Sequence, residues 1–353
     1  SYPGVKRGQH DRNQWAKNFR NEIIKKSNLP VIKQSVNLEL TNHELPKFFY
    51  DSTPCPYRQK GGSVEAEKLL QSFLNKRGEN YQFEMSSPIT AEKSCSRLST
   101  HLTYGTISHR TVFQEAAKKR DLIKHTNKNF AKSINSFLSR LHWRSHFIQK
   151  LEDQPSIEHT SFIPVYDQIR EKDEEKLEAW IEGKTGVHFI DACMIYLRNY
   201  GWINFRMRAM LASFASYNLW LDWRYFAPRL AALFTDFEPG IHYSQIQMQS
   251  GTTGINTIRM YNPYKQAMDQ DPLGKFIKSQ IPEVKNFPPA FFHNPPKKSL
   301  NVNLFDNEVQ KEIINVKETA QYDRKKIFDI RKSQEHKILA KNVYLKHGSR
   351  GRN

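Results

Sequence analysis

Charged side chains inside apolar segments are the first residues in this sequence that could carry chemistry. Arg198, Arg206 and Arg208 stand among apolar residues that recur at every third and fourth position, which predicts helices with buried inner faces. A buried arginine is costly unless a carboxylate pairs with it. Candidate partners follow along the chain: Asp222, Asp236 and Glu238. Such a cluster is more often a structural ion-pair core than a functional site, so the pattern alone assigns no function.

A pair of serines is the second candidate. The segment CSRLS, residues 95–99, places Ser96 and Ser99 three positions apart at the predicted start of a helix. Hydroxyls and free backbone N–H groups at a helix start can hold an anion, although the same pattern also occurs as a simple helix cap. No metal site is expected. The three cysteines, at positions 55, 95 and 193, lack CxxC spacing and indicate neither a zinc site nor a disulfide framework.

Amphipathic helices must position these side chains. Helical periodicity runs through residues 62–77, through two basic helices in residues 110–151, and through a basic tail in residues 305–345. A shorter helical pattern lies in the polar N-terminal stretch and is carried by Trp15, Phe19, Ile23 and Ile24. We interpret this stretch as a docking arm or linker. In this N-terminal stretch, strands and helices do not alternate over a length that would build an α/β domain.

The charge of the chain points to a polyanionic partner. Its 353 residues contain 54 Lys and Arg against 36 Asp and Glu, a formal net charge of +18. Such an excess favours nucleic acid before membrane, although a run such as 118–120 is usually a solvated face. The sequence shows no signal peptide and no apolar run of transmembrane length. We therefore expect a cytoplasmic protein, associated with the nucleoid if it is bacterial, with no membrane partner.

The central segment resembles a known family. It reads GKTGVHFIDACMIYLRNYGWINFRMRAMLASF at 183–214 and LWLDWR at 219–224, and it closely resembles the flavin-binding domain of the DNA photolyase and cryptochrome superfamily. The resemblance runs from about residue 61 to about residue 288. It implies an all-α fold, in which a helical domain holds FAD non-covalently, folded into a U. The expected organisation is an arm at 1–60, the FAD-binding domain at 61–290 and a basic helical extension at 291–353.

The resemblance also implies which residues contact FAD. Arg208 is expected to pair with Asp236, and His242 to stand where the family often has the asparagine that faces flavin N5. A histidine there adds a protonation choice near pH 6.5. The predicted cofactor-binding residues are Tyr81, Ser96, Arg97, Leu98, Ser99, Arg144, Trp202, Phe205, Arg208, Asp236, Glu238 and His242.

The activity implied by the resemblance is blue-light-driven repair of UV-induced pyrimidine dimers in DNA, duplex or single-stranded. Excited reduced FAD would give an electron to a dimer that has been flipped into a pocket. The predicted catalytic residues are Trp143, Arg140 and His242. Arg140 stands where many members have a glutamate, and Ala209 replaces a pocket methionine. The preferred lesion, a cyclobutane dimer or a 6-4 product, therefore stays open.

The resemblance also concerns the residues that donate electrons to FAD, and it leaves alternative functions. Trp223 matches the middle member of the family's chain of electron-donating tryptophans, whereas Ile246 occupies the proximal position. A different route could run through Trp220, Tyr217, Tyr243 or Tyr225. No iron–sulfur cluster is expected from three cysteines, and no antenna chromophore is expected in this chain. The alternatives are a cryptochrome-like light receptor without repair activity and an FAD-containing nucleic-acid binder.

Overall fold

The protein is described here from a computed structural model, which covers residues 12–25, 54–294 and 310–348. This part of the chain is helical, as predicted. It contains one isolated β-bridge, between Glu171 and Leu221, and no strand within the described ranges. None of its helices combines the length and apolar character needed to cross a membrane.

Seventeen α-helices build the described ranges. The first nine are α1 Arg12–Ile23, α2 Ser63–Ser72, α3 Tyr81–Glu84, α4 Pro88–Ser94, α5 Ser99–Thr103, α6 His109–Ile123, α7 Lys128–Asp153, α8 Glu174–Glu182 and α9 His188–Tyr200. The others are α10 Phe205–Ser213, α11 Trp223–Ala232, α12 Pro239–Ser250, α13 Pro263–Gln270, α14 Lys275–Gln280, α15 Pro289–His293, α16 Val316–Lys332 and α17 Gln334–His347. π-helical turns at Phe73–Arg77 and Phe214–Asn218 continue α2 and α10.

The main core surrounds α9 and α10, the helices with the apolar periodicity. Their inner side chains, among them Met194, Leu197 and Leu211, are fully buried. Helix α9 ends at Gly201, which adopts a left-handed φ of 64°. A Cβ at Gly201 would collide with the methyl group of Thr235. This close approach holds the start of α10 against the loop that follows α11.

Helix α7 is 26 residues long and connects two parts of the fold. It begins at the cap residue Asn127, whose side chain accepts a hydrogen bond from the backbone N–H of Phe130 at 3.0 Å. Its first half packs a buried face against α2, α3 and α6. Its second half crosses α12 closely, because a Cβ on Gly240 would lie 2.7 Å from Cα of Ile148. One helix therefore spans the distance between the α2–α6 core and the α12 side.

The segment at 12–25 docks on the body, as predicted for the arm. Helix α1 buries Trp15, Phe19 and Ile23 against α6 and α7. The indole N–H of Trp15 donates to Oε1 of Gln149 at 2.8 Å. Ile24 does not share this buried face, because it follows the end of the helix and is exposed. The rest of the predicted arm lies largely outside the described residues.

The C-terminal tail also docks on the body. Ile327 on α16 and Val343 on α17 pack in an apolar cluster with residues of the 157–166 segment and with Tyr217. Asn218 on the body donates to the backbone oxygen of Val316 at 3.1 Å. Residues 316–347 of the predicted basic extension therefore pack against the body. The division of the chain at residues 60 and 290 stays a prediction.

Candidate functional site

The predicted pair of Arg208 and Asp236 is present. Nη1 and Nη2 of Arg208 donate to the two carboxylate oxygens of Asp236 at 3.0 and 2.9 Å. Nε of Arg208 donates to the backbone oxygen of Ile203 at 2.7 Å, and the guanidinium lies 4.2 Å from the centre of the Phe234 ring. This two-pronged geometry fixes both side chains. It ties α10 to the loop after α11.

The other carboxylates pair with arginines that the sequence did not suggest. Asp222 caps α11 and pairs with Arg224, two residues further along. Glu238 pairs with Arg144 on α7 at 3.1 Å. Within the described ranges no salt bridge joins Arg198 or Arg206 to a carboxylate. The expectation that Asp222 and Glu238 would serve the arginines of α9 and α10 was therefore wrong.

The serine motif lies beside these ion pairs. Ser96 accepts a long hydrogen bond of 3.4 Å from the backbone N–H of Leu98, and Ser99 begins α5. Two further contacts join α5 to the ion pairs. Arg144 donates to the backbone oxygen of Leu102 at 3.2 Å, and Thr103 donates to the backbone oxygen of Asp236 at 3.4 Å.

Arg97 provides a buried cation that forms no salt bridge within the described ranges. It adopts a φ of 62°, which is unusual for a residue other than glycine, and its guanidinium lies 3.8 Å from the centre of the Trp202 ring. The residue is only 9% exposed, and its Nη1 has no hydrogen-bond partner in the described part of the chain. Burial lowers the pKa of Arg97, and nearby acids including Asp236 oppose that shift. A buried guanidinium in this position fits an anionic group such as the diphosphate of a dinucleotide.

His242 is buried and neutral. Its Nε2 lies 2.9 Å from the backbone oxygen of Ala227, so this nitrogen carries the proton and Nδ1 is left as an acceptor. Burial lowers the pKa of His242 to about 4. The expected protonation change near pH 6.5 was therefore wrong. The rings of Phe237 and Tyr243, at 5.3 and 5.2 Å, contribute to the apolar environment that disfavours the charged imidazole.

An aromatic and cationic rim lies next to the ion pairs. Trp143, the neighbour of Arg144 on α7, is 41% exposed, and Phe205 at the start of α10 is 52% exposed. The guanidinium of Arg140 lies 5.8 Å from the Phe205 ring. Beneath it Tyr81 is buried, which raises its pKa, and the nearby Arg140 opposes that shift. An open cavity at this rim is lined by Met85, Asn135, Ser136, Ser139 and Arg140.

A line of aromatic rings leads inward from His242. The ring centre of Tyr243 lies 5.2 Å from that of His242 and 6.4 Å from that of Trp223. Trp223 is fully buried, and its indole N–H donates to Ser161 at 2.9 Å. Tyr243 thus connects the two predicted residues, at a point where the sequence left several aromatic side chains open.

Some supporting residues were missed by the sequence argument. Asn204 donates to the backbone oxygens of Met85 and Ser86 at 3.0 and 2.7 Å and so positions the start of α10. Phe234 lies under the Arg208 guanidinium. An asparagine directly before a predicted helix is a signal that could have been followed. Phe234 and Ser161 carry no such signal, because they reach the site only through tertiary packing.

Comparisons with known proteins agree with this geometry. The family described as "FAD binding domain of DNA photolyase" matches residues 137–341. The deoxyribodipyrimidine photo-lyase of Streptomyces griseus is 30% identical over 243 residues, which are 69% of this chain and 50% of the relative. Cryptochrome-2 of Arabidopsis thaliana is 32% identical over 245 residues, which are 66% of this chain and 39% of the relative.

A solved structure shows the same fold. The class III photolyase of Agrobacterium tumefaciens superposes with a TM-score of 0.68 at 22% identity, covering 77% of this chain and 56% of its own. The chain spans about half the length of the curated relatives it matches. The family match covers more than half of the chain, and it extends through most of the docked tail. The chain belongs to the family of the FAD binding domain of DNA photolyase, and its cofactor is FAD.

Proposed function

We propose that this chain is the flavin-binding part of a DNA photolyase that splits UV-induced pyrimidine dimers under blue light. One observation carries the proposal. Helix α7 presents Arg144 to the partly buried carboxylate of Glu238 and, one residue earlier, presents Trp143 to solvent. The same helix therefore joins the proposed FAD site to a surface that a DNA base can reach. Curated relatives named deoxyribodipyrimidine photo-lyase support the reaction type.

Different residues would contact different parts of the cofactor. When bound, reduced FAD supplies, on excitation by blue light, the electron that opens the dimer. Arg97 and the first turn of α5, with Ser96 and Ser99, would hold the diphosphate. The Arg208–Asp236 pair supplies a fixed, charge-balanced wall. His242, which donates from Nε2 to the chain's own backbone, can offer only an acceptor at Nδ1 to a neighbouring N–H group.

The rim supplies the contacts to DNA. A base that is flipped out of the DNA helix loses its stacking on neighbouring bases. Stacking on an exposed indole can recover roughly 1–3 kcal/mol per base. The exposed indole of Trp143 supports this role. Arg140 adds a cation that could hold a phosphate or a base carbonyl. The formal charge of +18 supports the approach of DNA in general, in duplex or single-stranded form.

Two departures favour a second candidate, a cryptochrome-like light receptor without repair activity. Arg140 stands at the rim in place of the carboxylate found in many dimer photolyases, and Ile246 interrupts the usual electron route. Cryptochrome-2 of Arabidopsis thaliana matches at an identity similar to that of the photo-lyases. A receptor would bind FAD and respond to light but would leave dimers intact.

Repair of a defined oligonucleotide separates the candidates. FAD-loaded protein with the flavin reduced is mixed with DNA that carries one thymine dimer, and the dimer remaining is measured after blue light and in the dark. The proposal expects light-dependent loss of the dimer, which the Trp143→Ala variant slows. Intact dimer after long illumination, in a protein that still binds FAD, would favour the receptor.

A further inference from the structure

A second cluster of buried polar groups lies outside the proposed flavin site. It lies where the tail helices cover the body, between the 161–171 segment, the turn Phe214–Asn218 and the loop at 251–256. Five side chains there each have a buried nitrogen or oxygen without a hydrogen-bond partner in the described ranges. The atoms belong to Tyr166 (Oη), Arg170 (Nη1), Tyr217 (Oη), Arg331 (Nε) and His336 (Nε2). We call these five residues the tail cluster.

The members of the tail cluster face one another. The ring centres of Tyr166 and His336 lie 5.6 Å apart, and the Arg170 guanidinium lies 5.4 Å from the Tyr217 ring. Burial raises the pKa of Tyr166, and nearby Arg331 and Arg170 oppose that shift. Arg331 acts in the same direction on Tyr217. Body and tail thus contribute donors to one place.

Two glycines bring bare backbone close to these donors. Gly251 and Gly254 have φ values of 73° and 69°, which favour glycine. A Cβ on Gly251 would collide with the hydroxyl of Tyr217. A Cβ on Gly254 would lie 3.2 Å from Nε2 of His336. The loop at 251–256 therefore comes against the tail cluster with bare backbone.

No carboxylate in the described ranges lies within salt-bridge distance of the Arg170 guanidinium. Its Nε and Nη2 donate to the backbone oxygens of Ser216 and Ser250 at 2.9 and 2.8 Å. Two acids face it from further away. Asp222 is already paired with Arg224, and burial raises the pKa of Asp323 on α16 to about 7.

Arg331 on the tail is only partly buried, and it also donates to a neutral group. Its Nη2 donates to the backbone oxygen of Asn256 at 2.8 Å. The direct hydrogen-bond partners of both guanidinium groups are therefore neutral backbone oxygens. A buried arrangement of this kind is costly unless an anion joins it.

We propose that the tail cluster binds a small oxyanion, phosphate in preference to a carboxylate, that fastens the C-terminal helices to the body. Guanidinium groups from both parts would donate to the same anion, because arginine suits the geometry of phosphate and carboxylate oxygens. Two phenol hydroxyls and an imidazole nitrogen can add further donors. Five donors match an anion with several oxygens better than one with two.

Phosphate-dependent hydrogen exchange tests the proposal on the full, FAD-loaded chain, in which FAD occupies its own anion site. Exchange of the α16 and α17 amides is measured in phosphate, in acetate and in chloride at equal ionic strength. The expected result is saturable protection by phosphate. At ten times the dissociation constant, exchange that depends on tail opening should slow about tenfold. Acetate should act more weakly, and equal or stronger protection by acetate would overturn the preference for phosphate.

Matched variants make the result specific. Arg170→Gln, Arg331→Gln and Tyr217→Phe should each lose most of the protection by phosphate. The last two variants test the proposal even if Arg170→Gln fails to fold. Arg324→Gln, an exposed arginine on the same helix, should keep that protection. A phosphate effect that is absent, that does not saturate, or that is the same in Arg331→Gln as in Arg324→Gln would overturn the proposal.

Discussion

Removal of the Asp236 carboxylate should disable the flavin site. In Asp236→Ala the Arg208 guanidinium keeps only a neutral hydrogen bond to Ile203 and its contact with the Phe234 ring. Breaking a buried ion pair on one side costs about 3–5 kcal/mol. The Arg208 side chain is 27% exposed, so solvent relieves part of this cost and we expect the lower end. A loss of about 3 kcal/mol corresponds to roughly a hundredfold change in an equilibrium constant.

Two measurements detect the effect of the Asp236→Ala substitution. Urea unfolding gives the free energy of unfolding of the flavin-free protein, and fluorescence titration gives the FAD dissociation constant. Glu178→Ala is the matched control, because Glu178 pairs with Arg229 on the surface and such pairs contribute about 0–1 kcal/mol. Asp236→Asn should fall between wild type and Asp236→Ala, since the amide oxygen still accepts one hydrogen bond.

Arg97→Gln separates binding from folding. Nη1 of Arg97 has no partner in the described part of the chain, so the substitution should weaken FAD binding. Loss of the contact with the Trp202 ring should lower the free energy of unfolding of the flavin-free protein by no more than about 2 kcal/mol. The reasoning is refuted if Asp236→Ala binds FAD as tightly and unfolds at the same urea concentration as Glu178→Ala. It is also refuted if Arg97→Gln leaves FAD affinity unchanged.

Three further changes test other parts of the site. If Arg140 contacts the lesion, Arg140→Ala should weaken binding to dimer-containing DNA by roughly 1–3 kcal/mol. If Arg140 contacts a phosphate, the variant should weaken binding to all DNA and lower the slope of log affinity against log salt concentration by about one. Unchanged binding curves would exclude both contacts. Trp223→Phe should slow photoreduction of bound oxidised FAD with an external donor, and an unchanged rate would remove Trp223 from the route. Because the pKa of His242 falls to about 4 on folding, the unfolded chain binds the extra proton first, so stability is lost as the pH falls from about 6.5 to about 4. His242→Asn should reduce this pH-dependent loss of unfolding free energy by no more than about 3 kcal/mol, measured by urea unfolding at several pH values. If the variant and wild type lose stability equally as the pH falls, the buried, neutral histidine is contradicted.

The sequence predicted those features that depend on periodicity or on a dense motif. The helices around Leu70, Phe137 and Met194 follow from apolar spacing alone, because a helix repeats every 3.6 residues. The pairing of Arg208 with Asp236 followed from the family resemblance. Both are local patterns or patterns carried by a motif, so they can be found before the chain is folded.

Features that arise from packing could not be predicted in the same way. The low pKa of His242 depends on rings that surround it in the folded chain, and no spacing in the sequence indicates that degree of burial. The contact of Arg97 with Trp202 joins residues about a hundred positions apart. The tail cluster likewise forms only when α16 and α17 cover Arg170. Such contacts depend on tertiary structure, which residue types alone do not specify.

An action spectrum of repair tests the central claim most directly. The rate of dimer loss per photon is measured across the near-ultraviolet and blue for the purified, FAD-loaded protein with its flavin reduced. We predict that this rate follows the absorption of the bound reduced flavin and falls in proportion to flavin occupancy in Asp236→Ala. Dimers that persist at every wavelength, or a rate that does not follow flavin absorption, would contradict the account.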